Sequence, residues 1–348
     1  MERLKIGIVG AGGIATDRHI PTFQLFQEVS VSHIYDIDAE KAKIVATKFG
    51  IEHVCDSYEE MLEAVDAVII TTPNKFHAPY TIQALNKNVH VMCEKPMALT
   101  SEECDAMIEA EESSEGVLHI AYHYRFMKEV IAAKQIIDQG VIGDPLVINV
   151  KAMRRRKVPG WGVFTNKDLQ GGGSLIDYGC HLLDLAMWLA GDMKPVEVIG
   201  TTYNRLSKDN HDIVNEWGNF DASTFEVDDH VTAYVKFDNQ ASMLFETSWA
   251  ANIEHDEEFI SIAGTKGGIN VFDMKYNTAS EGLMTTTTID YVQEKNTFAY
   301  LQASNFIRTI LHDSVLKVKS VEARNVSKII EAIYLSSAQN KAIKIQNS

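Results

Sequence analysis

A glycine-rich turn follows the first apolar run of the chain, and it constrains the fold more than any other feature. Residues 5–10 are typical of a buried strand, and residues 10–15 read Gly-Ala-Gly-Gly-Ile-Ala before a helical segment. In such a unit the first glycine permits a tight turn, and the second lets the backbone approach a pyrophosphate lying against helix-terminal N–H groups. The turn therefore predicts a dinucleotide-binding unit in a parallel sheet. Its predicted binding residues are Gly10, Gly12, Gly13 and Ile14.

An acidic residue, Asp36, closes the second predicted strand. It lies about 20 residues beyond the glycine turn, where a ribose-binding carboxylate is expected. A carboxylate accepts hydrogen bonds from ribose hydroxyls, but it repels a 2′-phosphate by about 4 kcal/mol per like-charge pair at close range. Asp38 adds a second negative charge, and the next cationic residue is Lys41. The sequence therefore favours NAD over NADP.

Short apolar runs alternate with helical patterns through the first third of the chain, which predicts a doubly wound parallel sheet. The clearest helix spans residues 100–115, where Thr100 and Glu103 form a capping box that satisfies two backbone N–H groups. The predicted strands cover residues 5–10, 29–36, 67–72, 88–93 and 118–122.

Beyond residue 123 the pattern changes to β-branched and aromatic segments separated by short turns, which predicts a mostly antiparallel sheet. Predicted strands cover residues 146–153, 196–203, 230–237, 241–249, 259–263, 269–272 and 285–292. Predicted helices cover residues 128–139, 174–189, 297–311 and 323–340. We therefore predict two domains, an α/β dinucleotide-binding domain over residues 1–123 and an α+β domain over residues 124–348.

Composition excludes several classes of function. The 348 residues, 45% hydrophobic, suffice for two domains with sizeable cores. The net charge of −16 argues against a nucleic-acid partner, whose phosphates are usually met by surplus Lys and Arg. Without a visible signal segment or an apolar run near twenty residues, we expect no membrane span and a cytoplasmic location. The scattered cysteines predict reduced thiols and no metal site. They are Cys55, Cys93, Cys104 and Cys180.

Polar residues follow the third predicted strand, at the sheet edge where ligands bind in open α/β folds. Thr71, Thr72 and Asn74 are candidates for contacting a cofactor phosphate or ribose, with an ordinary turn role as the alternative. Pro73 and His77 belong to the same predicted cofactor-binding set.

The tripeptide Glu94-Lys95-Pro96 follows the fourth predicted strand at the same edge. A lysine that leaves a buried apolar strand is unusual, because its charge costs desolvation unless it is paired. Pro96 fixes the local backbone and so aims the lysine, and Glu94 offers a partner. Lys95 is therefore a candidate for both substrate and cofactor contact, with a surface lysine at a strand end as the alternative.

A run of three glycines, residues 171–173, precedes a polar stripe in the second domain. The glycines bring the backbone close to something bulky, and Ser174 is the predicted N-cap. Asp177, His181 and Asp184 follow at i, i+4 and i+7 of one predicted helix. A histidine has a pKa suited to exchanging a proton while hydride moves between an alcohol and a ketone. A carboxylate one turn away can orient the imidazole or bind substrate, and a purely structural pair is the alternative.

These features together resemble the Gfo/Idh/MocA family of glucose–fructose oxidoreductase and inositol dehydrogenase-like oxidoreductases. The matching segments cover nearly the whole chain, and the only departure from the strict glycine fingerprint is Ala15. They are the N-terminal glycine turn, Glu94-Lys95-Pro96, Tyr124-Arg125-Phe126, and the glycine run leading to Asp177, His181 and Asp184.

The resemblance implies a Rossmann domain and a second domain built on a large open sheet. It also implies that Lys95, Asp177 and His181 line one active site. In that family the histidine is taken as the acid/base, the lysine positions the reacting hydroxyl, and the aspartate supports the histidine or binds substrate. The Lys-Pro peptide is often cis in such enzymes.

The substrate pocket is less constrained by sequence. Trp161 can stack on a sugar face or cap the site, and Tyr124 and Arg125 are candidate pocket walls. Arg154 begins a run of three arginines that can bind a substrate carboxylate or phosphate, bind a cofactor phosphate, or pair with surrounding acids.

We therefore predict an NAD-dependent dehydrogenase acting on a secondary hydroxyl or carbonyl of a sugar, cyclitol or related polyol. One alternative is a glycosidase that retains NAD and acts by transient oxidation and elimination. Another is a non-catalytic regulator that binds NAD or sugar. Because helices of this chain can cover only one side of the second sheet, we also predict a homodimer or homotetramer.

Overall fold

The computed structural model describes residues 3–191, 193–209, 214–291 and 296–346. The chain forms two compact units. The first comprises Met1–His123 and Asn296–Arg324, and the second comprises Tyr124–Lys295 and Asn325–Ser348. The sequence placed everything beyond residue 123 in one domain, so the return of residues 296–324 to the first unit corrects that division.

The first unit contains a six-stranded sheet, and every pair of neighbouring strands in it is parallel. Its strands are β1 (Leu4–Val9), β2 (Val29–Tyr35), β3 (His53–Val54), β4 (Ala67–Ile70), β5 (His90–Cys93) and β6 (Leu118–Ile120). Their order is β3-β2-β1-β4-β5-β6. This order confirms the predicted doubly wound sheet and places the end of β1 at its centre.

Helices connect these parallel strands. A π-helical turn at Ala15–His19 runs into α1 (Ile20–Phe23). The helices that follow are α2 (Ala39–Phe49), α3 (Tyr58–Leu62), α4 (His77–Leu85) and α5 (Ser101–Glu112). The capping box predicted at the start of α5 is present, because Thr100 accepts from the Glu103 N–H and Glu103 accepts from the Thr100 N–H.

The second unit contains a nine-stranded sheet with a single parallel pair, β7 with β10, among the described residues. Its strands are β7 (Pro145–Met153), β8 (Pro195–Tyr203), β9 (His230–Phe237), β10 (Ser242–Ser248), β11 (Glu257–Gly264), β12 (Gly267–Asn270), β13 (Lys275–Ser280), β14 (Leu283–Thr288) and β15 (Ile343–Lys344). Their order is β14-β13-β12-β11-β7-β10-β9-β8-β15. The mostly antiparallel sheet was predicted, but β13 and β15 were not, and the end of the predicted strand 285–292 lies outside the described residues.

The second unit also contains helices before and between its strands. They are α6 (Lys128–Asp138), α7 (Lys167–Gln170), α8 (Cys180–Ala190) and α9 (Arg205–Lys208). One of them, α8, packs against β7 and β11. A π-helical turn, Leu175–Gly179, runs directly into α8. The predicted single helix over residues 174–189 is therefore a π turn followed by an α-helix.

Two long helices end the chain, α10 (Phe298–His312) and α11 (Ser320–Gln339). Helix α10 belongs to the first unit, because Ala303, Phe306 and Ile307 are buried in the same core as Ile8 of β1. No helix in the described part of the chain has the length and apolarity needed to cross a membrane.

Candidate active site

The glycine turn lies at the end of β1, and its first two glycines serve different purposes. Gly10 has φ of +96°, and a Cβ there would lie 3.0 Å from the Thr71 carbonyl carbon and oxygen. The Thr71 hydroxyl also donates to the carbonyl oxygen of Gly10 at 2.8 Å. A Cβ on Gly12 would meet no described atom within 4 Å. Gly10 is thus required by the backbone, whereas Gly12 leaves open space of the kind that an approaching pyrophosphate needs.

Asp36 lies beside this turn. One carboxylate oxygen accepts from the Ala11 N–H at 2.6 Å, and the other accepts from the Asp38 N–H at 2.9 Å. The end of β2 thus holds a carboxylate against the glycine turn, which is where ribose recognition was predicted. These contacts fit NAD, although binding by Asp36 itself stays a prediction.

Thr72 and His77, which both follow β4, have different surroundings. The Thr72 hydroxyl is buried and has no hydrogen-bond partner among the described residues, and its contact with the cofactor stays a prediction. The His77 side chain is fully buried, with Nδ1 2.7 Å from the Pro96 carbonyl oxygen and Nε2 3.0 Å from that of Thr72. His77 therefore braces two turns of the cofactor edge, and its predicted direct contact with the cofactor has no support in this geometry.

The tripeptide Glu94-Lys95-Pro96 follows β5, and its Lys95–Pro96 peptide is cis. The carboxylate of Glu94, the residue expected to pair with Lys95, lies 2.7 Å from Nε2 of His19, and both side chains are buried. Burial alone raises the pKa of Glu94, but the hydrogen bond and charge of His19 and two further cations outweigh it and bring the pKa to about 2. Glu94 is therefore a fixed anion at the turn that carries Lys95. No sequence spacing indicated His19 as its partner.

The three glycines of the second unit make room for other parts of the same chain. A Cβ on Gly172 would lie 1.9 Å from the Tyr334 hydroxyl, and one on Gly173 would lie 1.9 Å from the Asp228 carbonyl oxygen. The Asp228 carboxylate accepts from the Gly173 N–H at 2.8 Å, the Tyr334 hydroxyl at 2.7 Å and the Ser174 hydroxyl at 2.8 Å. The predicted N-cap role of Ser174 is therefore wrong, since its hydroxyl donates to Asp228 and caps no helix N–H.

The hydrogen bonds from Gly173, Ser174 and Tyr334 to the Asp228 carboxylate form a clamp, which removal of the Tyr334 hydroxyl tests. We expect Tyr334→Phe to lower the free energy of unfolding by about 1.5–3 kcal/mol, the usual contribution of a hydrogen bond to a charged group. The matched control is Tyr58→Phe, because the Tyr58 hydroxyl donates to a neutral carbonyl oxygen. Urea denaturation measures both. An equal or smaller loss for Tyr334→Phe would contradict the clamp.

Asp177 lies in the π turn and His181 in the first turn of α8. The Asp177 carboxylate accepts from the indole N–H of the buried Trp249 at 3.1 Å. The His181 ring lies against the Tyr124 ring, with 5.1 Å between their centroids. The Tyr124 hydroxyl donates to Glu258, and burial together with this carboxylate raises the pKa of Tyr124, so the phenol stays protonated. Aromatic residues thus contact both the candidate acid/base, His181, and the candidate carboxylate, Asp177. The sequence indicated Tyr124 as a pocket residue, but it did not indicate Trp249.

Arg125 and Asp184 form a buried ion pair in the second unit. The guanidinium donates to both carboxylate oxygens, at 2.9 and 2.5 Å, and the two side chains are 1% and 0% exposed. The predicted substrate contact of Arg125 has no support in this arrangement. Asp184, the third residue of the predicted polar stripe, is therefore engaged by Arg125.

The three consecutive arginines have separate environments. Arg155 donates to the Glu254 carbonyl oxygen at 3.1 Å, and Arg156 donates to the Asn252 side chain at 2.6 Å. The Arg154 guanidinium instead packs against two aromatic rings, those of Tyr178 and Trp217, beside Asp177. The side chains of Arg155 and Arg156 thus bond neutral groups of the protein, whereas Arg154 lies near an acid, with Nη1 3.7 Å from a carboxylate oxygen of Asp177. Arg154 remains the candidate for ligand contact.

Comparison with known proteins identifies the family. Residues 4–122 match the model described as "Oxidoreductase family, NAD-binding Rossmann fold", and residues 130–270 match the GFO/IDH/MocA C-terminal domain. The chain belongs to the Gfo/Idh/MocA oxidoreductase family. Its first unit is accordingly an NAD-binding Rossmann domain, and the resemblance drawn from the motifs is confirmed.

Individual relatives agree with this membership. The chain is 31% identical to D-glucoside 3-dehydrogenase of Escherichia coli over 98% of this chain and 97% of the relative. It is 34% identical to inositol 2-dehydrogenase of Salmonella typhimurium over 56% of this chain and 57% of the relative. The structure of levoglucosan dehydrogenase in complex with NADH covers the whole of both chains with a TM-score of 0.84 at 22% identity, which shows the shared fold.

Proposed function

We propose that this oxidoreductase uses NAD to move hydride to or from a secondary hydroxyl or carbonyl carbon of a sugar, cyclitol or related polyol. The observation that carries the proposal is the turn from Asp177 to His181. It presents a carboxylate held by Trp249 and an imidazole packed on Tyr124 in a chain whose other unit binds NAD. The relatives named above act on sugars and inositol, and they support the same substrate class here.

Each of three residues has a distinct proposed role. Bound NAD supplies the hydride acceptor. In the oxidation direction His181 takes the proton of the reacting hydroxyl, which suits an imidazole near neutral pH. Lys95 polarises the same oxygen and stabilises its developing negative charge. Asp177 orients the imidazole or binds a neighbouring hydroxyl of the substrate.

A substrate screen tests the proposal. Purified protein is mixed with cyclitols, aldoses, ketoses and glycosides in the presence of NAD or NADP, and the absorbance of reduced nicotinamide is followed. We expect at least one of these compounds to reduce the nicotinamide cofactor, and we expect NAD to be reduced faster than NADP. Firm NAD binding without turnover of any compound would contradict an enzymatic role. Release of an aglycone without net formation of reduced cofactor would indicate an NAD-retaining glycosidase instead.

Cofactor choice is proposed to rest on Asp36. In the Asp36→Asn variant one amide oxygen can still accept the Ala11 N–H, but the charge that repels a 2′-phosphate is gone. We expect the ratio of kcat/KM for NADP to that for NAD to rise at least about tenfold. The control is Asp38→Asn, because an asparagine keeps the N-cap of α2 while removing a nearby charge. An unchanged ratio in Asp36→Asn would exclude Asp36 as the selecting residue.

We also propose that the chain is a cytoplasmic homodimer or homotetramer. Ile199, Leu244 and Val147 lie on one face of the nine-stranded sheet and are 51%, 52% and 40% exposed, an apolar surface of the kind that a second subunit covers. The four cysteines are buried free thiols, as suits a reducing compartment. Sedimentation as a monomer at micromolar concentration would contradict the oligomer.

A further inference from the structure

Arg154 has an unusual environment for an arginine. Its guanidinium carbon lies 3.7 Å from the centroid of the Tyr178 ring and 4.4 Å from that of Trp217. Two aromatic rings therefore pack against the planar group, whose N–H groups lie along its edge. On that edge Nη1 is buried, has no hydrogen-bond partner among the described residues, and lies 3.7 Å from a carboxylate oxygen of Asp177. A buried donor without an acceptor is costly, which suggests that a ligand supplies the acceptor.

Two braced loops carry Trp161 and Trp217. The Gly160 N–H donates to the Trp217 carbonyl oxygen at 2.9 Å, and the Asn215 side chain bonds both the N–H and the carbonyl oxygen of Val158. A Cβ on Gly160 would lie 2.6 Å from the Gly218 carbonyl carbon, so the loops are in close backbone contact. The backbone beside the two tryptophans is thus fixed by long-range contacts.

Trp161 extends this arrangement outward. Its indole is 54% exposed, and its ring centroid lies 5.7 Å from that of Trp217. Trp161, Trp217, Arg154 and Tyr178 therefore form a continuous row of neighbouring side chains that ends beside Asp177. An exposed indole on a fixed backbone offers a flat apolar surface at little cost in conformational entropy.

The charges around Arg154 favour an uncharged ligand. Asp177 already faces its Nη1, and the Tyr178 hydroxyl beneath it donates to Glu258 at 2.8 Å. The neighbouring cation, Lys157, is paired with Asp256. The cluster therefore has no surplus positive charge for a phosphate or carboxylate. A donor and an acceptor side by side instead suit two neighbouring hydroxyls of a sugar ring.

We propose that Arg154, Trp217 and Trp161 form a carbohydrate subsite beside Asp177, and that it takes an uncharged glycoside. Arg154 and Asp177 bind adjacent hydroxyls of one ring, and a second ring or aryl aglycone stacks on Trp161. This inference rests on the proposed function, since it places Asp177 in the substrate site.

Paired substrates test the subsite through kcat/KM. The panel contains D-glucose and methyl β-D-glucoside, which have one ring, and cellobiose and phenyl β-D-glucoside, which have two. Wild-type protein is expected to favour the two-ring compounds by about tenfold, an effect that one aromatic stacking contact can supply. In Trp161→Ala this preference is lost, while kcat/KM for D-glucose changes less than about twofold. Trp161→Phe keeps an aromatic face and retains most of the preference.

Arg154 variants test the hydroxyl contacts. Arg154→Gln is expected to lower kcat/KM about 100-fold for all four sugars, mainly through KM, as loss of a charged hydrogen bond predicts. Arg154→Lys does not restore activity, because an ammonium lacks the planar fork that stacks between rings. Arg155→Gln is the matched control and leaves kcat/KM unchanged. Circular dichroism checks that each variant folds. If Arg154→Gln does not fold, the Trp161 variants still test the subsite.

Binding without turnover separates this proposal from the proposed function. Cellobiose is titrated into wild type and variants while tryptophan fluorescence is followed. Saturable quenching that weakens in Arg154→Gln supports the subsite even if no sugar is oxidised. Absence of quenching, or equal losses for one-ring and two-ring sugars in Trp161→Ala, overturns it. Faster turnover of glucose 6-phosphate or D-glucuronate, lost in Arg154→Gln alone, would make Arg154 an anion-binding residue and also overturn it.

Discussion

Turnover by the His181→Ala variant is expected to fall by about two to four orders of magnitude, the range that general acid–base catalysis contributes. The histidine side chain is 7% exposed and packs on Tyr124, so the proposed acid/base has a fixed ring plane. Its loss removes the group that accepts the hydroxyl proton. The affinity for NAD should change little, because the glycine turn belongs to the other unit.

The Lys95→Met variant is expected to show a similar loss of kcat, since methionine keeps the unbranched stem and removes only the charge. The matched control is His255→Ala, because the His255 side chain is 84% exposed in the same unit as His181. Initial rates at saturating substrate give kcat, and titration of the protein with NAD gives Kd. Turnover near the wild-type level in either the His181 or the Lys95 variant would refute the assigned role.

The second large effect is on stability. Asp184→Asn is expected to lower the free energy of unfolding by about 3–5 kcal/mol, because it leaves the buried guanidinium of Arg125 without a counter-charge. The double variant Arg125→Met/Asp184→Leu should recover most of that loss, since it replaces the pair by apolar side chains of similar size. Urea denaturation followed by tryptophan fluorescence measures both variants.

A surface pair provides the control for this experiment. Lys236 and Glu197 form an ion pair at 2.7 Å with side chains that are 53% and 31% exposed, and Glu197→Gln should leave stability nearly unchanged. If Asp184→Asn behaves like Glu197→Gln, then the pair with Arg125 is not a determinant of the fold.

Local features of this molecule were predictable because neighbouring residues encode them. The turn at Gly10 needs a positive φ, and the capping box at Thr100 needs two residues three positions apart; both are visible in the sequence and present in the structure. The alternation of strands and helices likewise predicted the parallel sheet. These features depend on chain geometry within a few residues.

Long-range pairings were not predictable, because no short spacing encodes them. His19 bonds Glu94 from 75 positions away, and the Tyr334 hydroxyl reaches Asp228 across 106 positions. The same is true of Trp217, which covers Arg154 from a distant loop. The candidate site was therefore anticipated as a set of chemically active residues, whereas the groups that position them emerged only from the fold.

The late position of α10 in the chain has a consequence for folding during translation. Phe306 is fully buried in the first unit and meets the edge of Phe23, yet it follows residue 123 by the whole length of the intervening unit. At the usual elongation rate, a ribosome adds those residues in roughly ten to forty seconds. During that interval the nascent nucleotide-binding unit therefore lacks α10, and the apolar surface that α10 covers is left without it. Chaperone occupancy during translation should be greatest there and should end as α10 emerges.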